Sequence, residues 1–211
     1  MNEAELREQI VRFGRSLFER GLTPGNSGNL SARVGERYLM TPTNSCLGTL
    51  EAQRLSLVDR QGRLLSGDPP TRENFLHLAF YDQRPSANAV VHLHSVHAVA
   101  VSCLADVDPQ DVMPPITPYY VVRVGRLPLI PYYPPGDIEL ARAVGLLAPS
   151  FSALLLANHG PVVAGTSLEA AVNTIEELEA TARLFLLVRG EKVRRLTAEQ
   201  IEELRRRYPQ P

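Results

Sequence analysis

The stretch Ala87-Asn88-Ala89-Val90-Val91-His92-Leu93-His94 passes from small and β-branched residues into a pair of imidazoles. Residues 89 to 94 read as a strand, since Val-Val is a strand-forming pair and Asn88 marks its start. Strand side chains alternate, so His92 and His94 face the same side, about 7 Å apart at Cα, and Leu93 faces the other. Two imidazoles so placed suit two adjacent vertices of a metal polyhedron. The same spacing also suits a polar strand end with two exposed histidines.

A second buried strand, Ala153 to Leu156, ends at Asn158-His159-Gly160-Pro161. A histidine at a strand's C-terminal end, in a loop shaped by Gly and Pro, lies where α/β folds place function. Three histidines at two strand ends fit a catalytic Zn²⁺ with an open position. On the N-terminal side, Gly67-Asp68-Pro69-Pro70-Thr71 punctuates the chain before a helix expected over Arg72 to Gln83, with Thr71 as N-cap and Glu73 in the first turn. A carboxylate beside a metal can act as general base, while spacing alone leaves Glu73 an ordinary first-turn glutamate. His77 follows Glu73 by one helical turn and is a candidate to support it; otherwise it and His97 read as core or surface residues.

Three loops have the composition of anion sites. Asn26-Ser27-Gly28-Asn29 offers N–H groups around a glycine, Thr41-Pro42-Thr43-Asn44-Ser45 adds hydroxyls and an amide, and Thr71-Arg72 adds a guanidinium at a helix start. No phosphate-binding P-loop or dinucleotide fingerprint is present, so a nucleotide is not implied.

The remaining pattern alternates helix and strand. An amphipathic helix is expected over 3–20, strands at Tyr38 to Thr41 and Leu55 to Val58, and a turn at Asp59-Arg60-Gln61-Gly62. A short helix follows from Val96 to Leu104. Strands are expected at Tyr120 to Val124 and Pro128 to Ile130 within the proline-rich stretch 106–136, and helices over Ser167 to Arg189 and Thr197 to Arg207, the last opened by a Thr197/Gln200 capping box. The expected architecture is α/β, a single domain over 1–211 with helices flanking a sheet.

The chain has 211 residues, 44% hydrophobic and 21% charged, with 22 basic and 23 acidic side chains and a net charge of −1. That balance argues against binding nucleic acid or a membrane surface through bulk positive charge. Residues 1–7 carry both signs of charge and no apolar signal core, and only Cys46 and Cys103 are cysteines. Reduced thiols and a cytoplasmic protein are the expectation.

Together, Gly28-Asn29-Leu30-Ser31, Thr41-Pro42-Thr43, Glu73, the 87–94 stretch and Asn158-His159-Gly160 resemble the class II aldolase/adducin family over about residues 3 to 190. The resemblance implies a central, mainly antiparallel sheet flanked by helices. It implies a divalent metal, usually zinc, on His92, His94 and His159, with Glu73 as acid/base and itself able to touch the metal. It implies a substrate phosphate held by Gly28, Asn29, Thr43, Asn44, Thr71 and Arg72. It further implies a cyclic homotetramer with shared active sites, into which Tyr119 of a neighbouring copy brings a proton-donating phenol. The adducin-type members, which serve as interaction modules, are expected to have lost the ligands retained here.

A narrower similarity, in residues 41–48, 92–95, 129–136 and 156–165, is to the branch that decarboxylates 3-oxo-tetronate 4-phosphates to dihydroxyacetone phosphate and carbon dioxide in four-carbon sugar acid catabolism. Two departures from the sugar-phosphate aldolases agree with it: Asn44 stands where those have Gly, and Thr71-Arg72 where they have Ser-Ser. The alternative within the family is a fuculose-phosphate-type aldolase or a ribulose-phosphate 4-epimerase.

Overall fold

The computed structural model describes residues 2–134 and 136–209. Pro135 of the 129–136 motif, Met1 and the last two residues of the expected single domain lie outside the described residues.

The strands are β1 (Asn29–Val34), β2 (Arg37–Met40), β3 (Ser56–Val58), β4 (Leu64–Ser66), β5 (Ala89–His92), β6 (Leu129–Ile130), β7 (Ala153–Leu156) and β8 (Gly160–Gly165). They form one sheet in the order β4-β3-β2-β1-β5-β8-β7-β6. Every pairing is antiparallel except that of β6 with β7. The helices are α1 (Glu3–Glu19), α2 (Asn74–Gln83), α3 (Val96–Ser102), α4 (Pro118–Arg123), α5 (Ile138–Leu147), α6 (Leu168–Leu187) and α7 (Ala198–Arg207).

Strand alternation divides the core into two layers. Ala89, Val91 and Leu93 pack with Ala153 and Leu155 against α1, α3 and α6, while Val90 packs with Leu154 and Leu156 against α2 and α5. Central strands covered on both faces must be apolar throughout, which explains the unbroken run Ala153 to Leu156. The sheet, its mainly antiparallel pairing and its flanking helices agree with the expected α/β class.

Several expectations are corrected. Residues 120–124 are not a strand: Thr117 caps the Tyr120 N–H, Pro118 occupies the first turn, and the segment is the helix α4. A Thr-Pro start outweighs the β-branched valines that follow. Thr71 is not the cap of α2, because Glu73 holds that position and the helix begins at Asn74. Residues 29–31 are not loop but the start of β1. Their polar side chains disguise it: Asn29 and Ser31 are buried against polar groups of α2 and so break the apolar alternation. β8 carries Gly160 and Pro161, residues that argue against a central strand, and had no sequence assignment. β4 and α5 had none either, although Asp137 caps α5 and Leu140 and Val144 lie one helical turn apart on its buried face.

Candidate metal and substrate site

β5 delivers His92 at its last position, fully buried, and the chain carries on to His94 just past the end of this central strand. His159 comes from the three-residue connection between β7 and β8, which pair across it through Leu156 and Gly160. Asn158 adopts a left-handed backbone there (φ 56°), which Asn tolerates at modest cost. Gly160 permits the approach of this turn to β5: a Cβ there would stand 2.4 Å from the Leu93 carbonyl oxygen. The hairpin thus seats His159 beside His94. Glu73 enters from the helical layer that His92 faces, at the N-cap of α2 with φ −98° and ψ 17°.

Ligand atoms of Glu73, His92, His94 and His159 all lie within 4.8 Å of one another. His94 Nε2 is 3.0 Å from His92 Nε2 and 3.1 Å from His159 Nε2. Glu73 Oε1 is 3.2 Å from His159 Nε2, and Glu73 Oε2 is 3.5 Å from His92 Nε2. His92 Nδ1 is 2.9 Å from the Pro161 carbonyl oxygen, which can only accept, so Nδ1 carries the proton and the Nε2 lone pair faces the cluster. Burial, reinforced by the neighbouring imidazoles, pushes the His92 pKa down to about 3, and burial lowers that of His94 as well. Burial alone would raise Glu73, but His92, His159 and the Asn29 N–H outweigh it and hold the carboxyl well below its ordinary range. Neutral imidazoles at 92 and 94 and an ionised carboxylate at 73 are protonation states that suit a divalent cation. Four donors at Zn–N distances of about 2.0–2.1 Å would stand roughly 3.3 Å apart, close to the separations found. The donor set therefore fits a divalent metal.

The loops around this cluster are tied to each other by the backbone. Thr43 N–H donates to the Pro69 carbonyl at 2.9 Å, and Thr71 N–H to the Thr41 carbonyl at 3.1 Å. These bonds set Thr43 and Asn44 beside Thr71 and Arg72. Asn44 has a left-handed backbone (φ 56°), the conformation that a glycine would supply. Gly28 is left-handed as well (φ 80°), and a Cβ on it would lie 2.9 Å from Thr23 Oγ1 and 3.1 Å from the His92 carbonyl oxygen.

One cleft of about 640 Å³ is lined by Gly28, Asn29, Thr43, Asn44, Thr71, Arg72, Glu73, His94 and His159. His92 is fully buried behind this lining, against His94 and Glu73. Asn26, Ser27, Pro42, Gly136 and Asn158, from loops and motifs read in the sequence, also line it, and so do Val96 and Val99 of α3, which carried no such reading. The Asn29 side chain is directed at Glu73, with Nδ2 donating to Oε2 at 2.9 Å. Tyr119 lies elsewhere: it is 64% exposed and borders a separate groove with His97 and Arg123.

A mainly antiparallel sheet with three histidines at the ends of its central strands, met by a carboxylate from the start of α2 beneath polar glycine and threonine loops, defines a lyase of the class II aldolase type. The family model described as "Class II Aldolase and Adducin N-terminal domain" matches residues 8–186, and the chain belongs to this family. It is 47% identical to the 3-oxo-tetronate 4-phosphate decarboxylase of Haemophilus influenzae, over 98% of this chain and 99% of that one. It is 34% identical to the L-fuculose phosphate aldolase of Escherichia coli K12, over 88% and 85% of the two chains. The crystal structure of Klebsiella pneumoniae YgbL, a candidate aldolase, epimerase or decarboxylase, superposes with a TM-score of 0.95 at 50% identity, covering 97% of this chain and all of that one. Among the described residues, no helix is long and apolar enough to cross a membrane.

Proposed function

We propose that this protein is a zinc-dependent decarboxylase that converts a 3-oxo-tetronate 4-phosphate to dihydroxyacetone phosphate and carbon dioxide in four-carbon sugar acid catabolism. The observation that carries the reading is the convergence of His92, His94, His159 and Glu73, the last three of which line a cleft with Arg72 and the glycine and threonine loops. The similarity to decarboxylases over nearly the whole chain supports it. A cation bound by these four residues would act as a Lewis acid toward the keto and hydroxyl oxygens of the substrate.

The chain's own residues supply the remainder. Gly28, Thr43, Asn44, Thr71 and Arg72 grip the phosphate or the carboxylate and hold the substrate in register. The C1–C2 bond breaks, C1 leaves as carbon dioxide, and the electron pair delocalises into the C3 carbonyl as an enediolate. A proton delivered to C2 completes dihydroxyacetone phosphate. Glu73 serves as acid/base beside C2, and the Tyr119 phenol of a neighbouring copy donates the proton, in a cytoplasmic homotetramer with shared sites. The exposure of Tyr119, away from its own chain's cleft, suits such a role.

The test supplies 3-oxo-tetronate 4-phosphate to the zinc-loaded protein and follows carbon dioxide and dihydroxyacetone phosphate. Release of both in equal amounts is expected. Cleavage of fuculose 1-phosphate with no carbon dioxide from the oxo acid would replace this reading with the aldolase.

A further inference from the structure

A line of buried polar groups runs from Glu73 into the layer between the sheet and α2. Asn29 Nδ2 donates to Glu73 Oε2 at 2.9 Å, and Asn29 Oδ1 lies 2.5 Å from His77 Nε2. His77 Nδ1 lies 2.7 Å from Ser31 Oγ, which lies 2.7 Å from the Tyr81 hydroxyl. His77 and Ser31 are fully buried and Tyr81 nearly so. Tyr38 stacks on Tyr81 with ring centroids 4.3 Å apart, and the Arg33 guanidinium covers the Tyr81 ring at 5.2 Å. The spacing of the parts is regular. Asn29 and Ser31 sit two apart on β1 and His77 and Tyr81 four apart on α2, so each pair shares a face.

The protons of this line have only one consistent arrangement. The Glu73 carboxylate can only accept, so the Asn29 amide must present its NH₂ to Glu73 and its oxygen to His77. His77 Nε2 must then carry a proton and donate to Asn29. Burial pushes the His77 pKa down to about 4, so the ring is neutral and its Nδ1 bears a lone pair. Ser31 donates to that lone pair, and Tyr81 donates to Ser31. A reversed Asn29 amide would set its oxygen against the carboxylate and its NH₂ against a ring N–H.

We propose that His77 and Asn29 are positioning residues for Glu73. His77, its Nδ1 paired with the Ser31 and Tyr81 hydroxyls, orients the Asn29 amide, and that amide holds Glu73 Oε2 so that Oε1 is presented to the reaction. The His77 imidazole therefore acts on Glu73 across the layer, through β1, although the two residues lie one turn apart at the start of α2. The Asn29 side chain belongs to the acid/base and not to the phosphate cradle.

The kinetic part of the test rests on the decarboxylase reading; the spectroscopic part does not. Gln at position 77 places an amide nitrogen near Nε2 and keeps a donor toward Asn29, whereas Asn keeps polar atoms only near Nδ1. With zinc-loaded protein and 3-oxo-tetronate 4-phosphate, His77→Asn and Asn29→Ala should lower kcat by about 10- to 100-fold, the usual cost of losing a partner that orients a site residue. KM should change little, the signature of a group that acts only in the transition state, and His77→Gln should recover most of the turnover. Equal impairment of His77→Asn and His77→Gln, or a loss confined to KM, would overturn the proposal. Long-range ¹H–¹⁵N spectra of the wild-type protein read the tautomer directly, whichever substrate is turned over and whether or not the variants fold. A neutral His77 protonated at Nε2 supports the assignment, and one protonated at Nδ1 overturns it. No carbon dioxide from the wild type alongside an Nε2–H tautomer would refute the decarboxylase and leave the positioning of Glu73 standing.

Discussion

The Nδ1 of His92 lies 2.9 Å from the carbonyl oxygen of Pro161 on the neighbouring strand β8. This contact, made by a proline in the middle of a sheet, determines which imidazole nitrogen can bind a metal. Proline keeps its carbonyl although it has no N–H, so it can accept a hydrogen bond from the ring. With Nδ1 so engaged, Nε2 is left as a lone-pair donor toward His94, His159 and Glu73, the arrangement that typically orients a metal-bound histidine.

The first prediction concerns the metal. The purified wild type should carry a divalent cation that His92→Ala, His94→Ala or His159→Ala each removes. Elemental analysis of the variants checks it. Chelation should abolish turnover and added Zn²⁺ should restore it; retention of full occupancy in any of the three variants removes that residue from the ligand set.

Glu73→Gln should lower turnover by about 10²–10⁴-fold, the range for loss of a general acid–base group. The Glu73 side chain caps no N–H of α2, so the fold should lose little. Steady-state kinetics together with a thermal melt separate the two effects. Near-normal turnover would exclude the carboxylate from the reaction.

Arg72→Ala should raise KM roughly 10- to 100-fold, because it removes charge-assisted hydrogen bonds to an anionic substrate worth about 1.5–3 kcal/mol. Zinc content should not change, since Arg72 is absent from the ligand cluster. An unchanged KM would place the substrate's anionic groups elsewhere in the cleft.

The buried His77 makes stability depend on pH. Its pKa falls from the ordinary 6.5 to about 4 in the folded chain. Between those values the unfolded chain binds more protons than the native one, so stability drops as the pH is lowered and the loss levels off below the native value. From pH 7 to pH 5 this residue alone should cost about 2 kcal/mol. Urea unfolding at the two pH values should show a smaller loss for His77→Gln than for the wild type, and identical losses would count against a neutral, buried imidazole.

Tyr119→Phe and Glu73→Gln proteins should each be nearly inactive, and a mixture dissociated and reassembled should regain part of the activity. Mixed interfaces would combine an intact Glu73 from one copy with an intact Tyr119 from another. No recovery in a demonstrably mixed oligomer would refute the shared site.

Much of the site was legible because it rests on local rules. Side-chain alternation by itself places His92 and His94 on one face. The Asn-His-Gly sequence by itself announces a tight turn that can hold a histidine at the end of a strand. The apolar run at 153–156 announces a strand covered on both sides, and the capping box at Thr197 and Gln200 announces a helix start that the structure contains.

Tertiary structure decided what depends on partners distant in the chain. β1 is a strand because Asn29 and Ser31 find His77 and Tyr81 on α2, and a one-dimensional reading of polarity cannot supply such partners. β8 accommodates Pro161 because the neighbouring strand uses its carbonyl oxygen. His159 reaches His94 only through the antiparallel pairing of β5 with β8 and the close approach of Gly160 to Leu93. Glu73 gains its role by standing at the N-cap of α2, facing the ends of the central strands, where burial would discharge it if the imidazoles and the Asn29 amide did not hold it ionised. The sequence by itself determined which residues could bind a metal and an anion, since residue type and local spacing are one-dimensional. Only the tertiary structure decided that they converge and in which protonation states, because both depend on burial and on neighbours brought from other strands and helices.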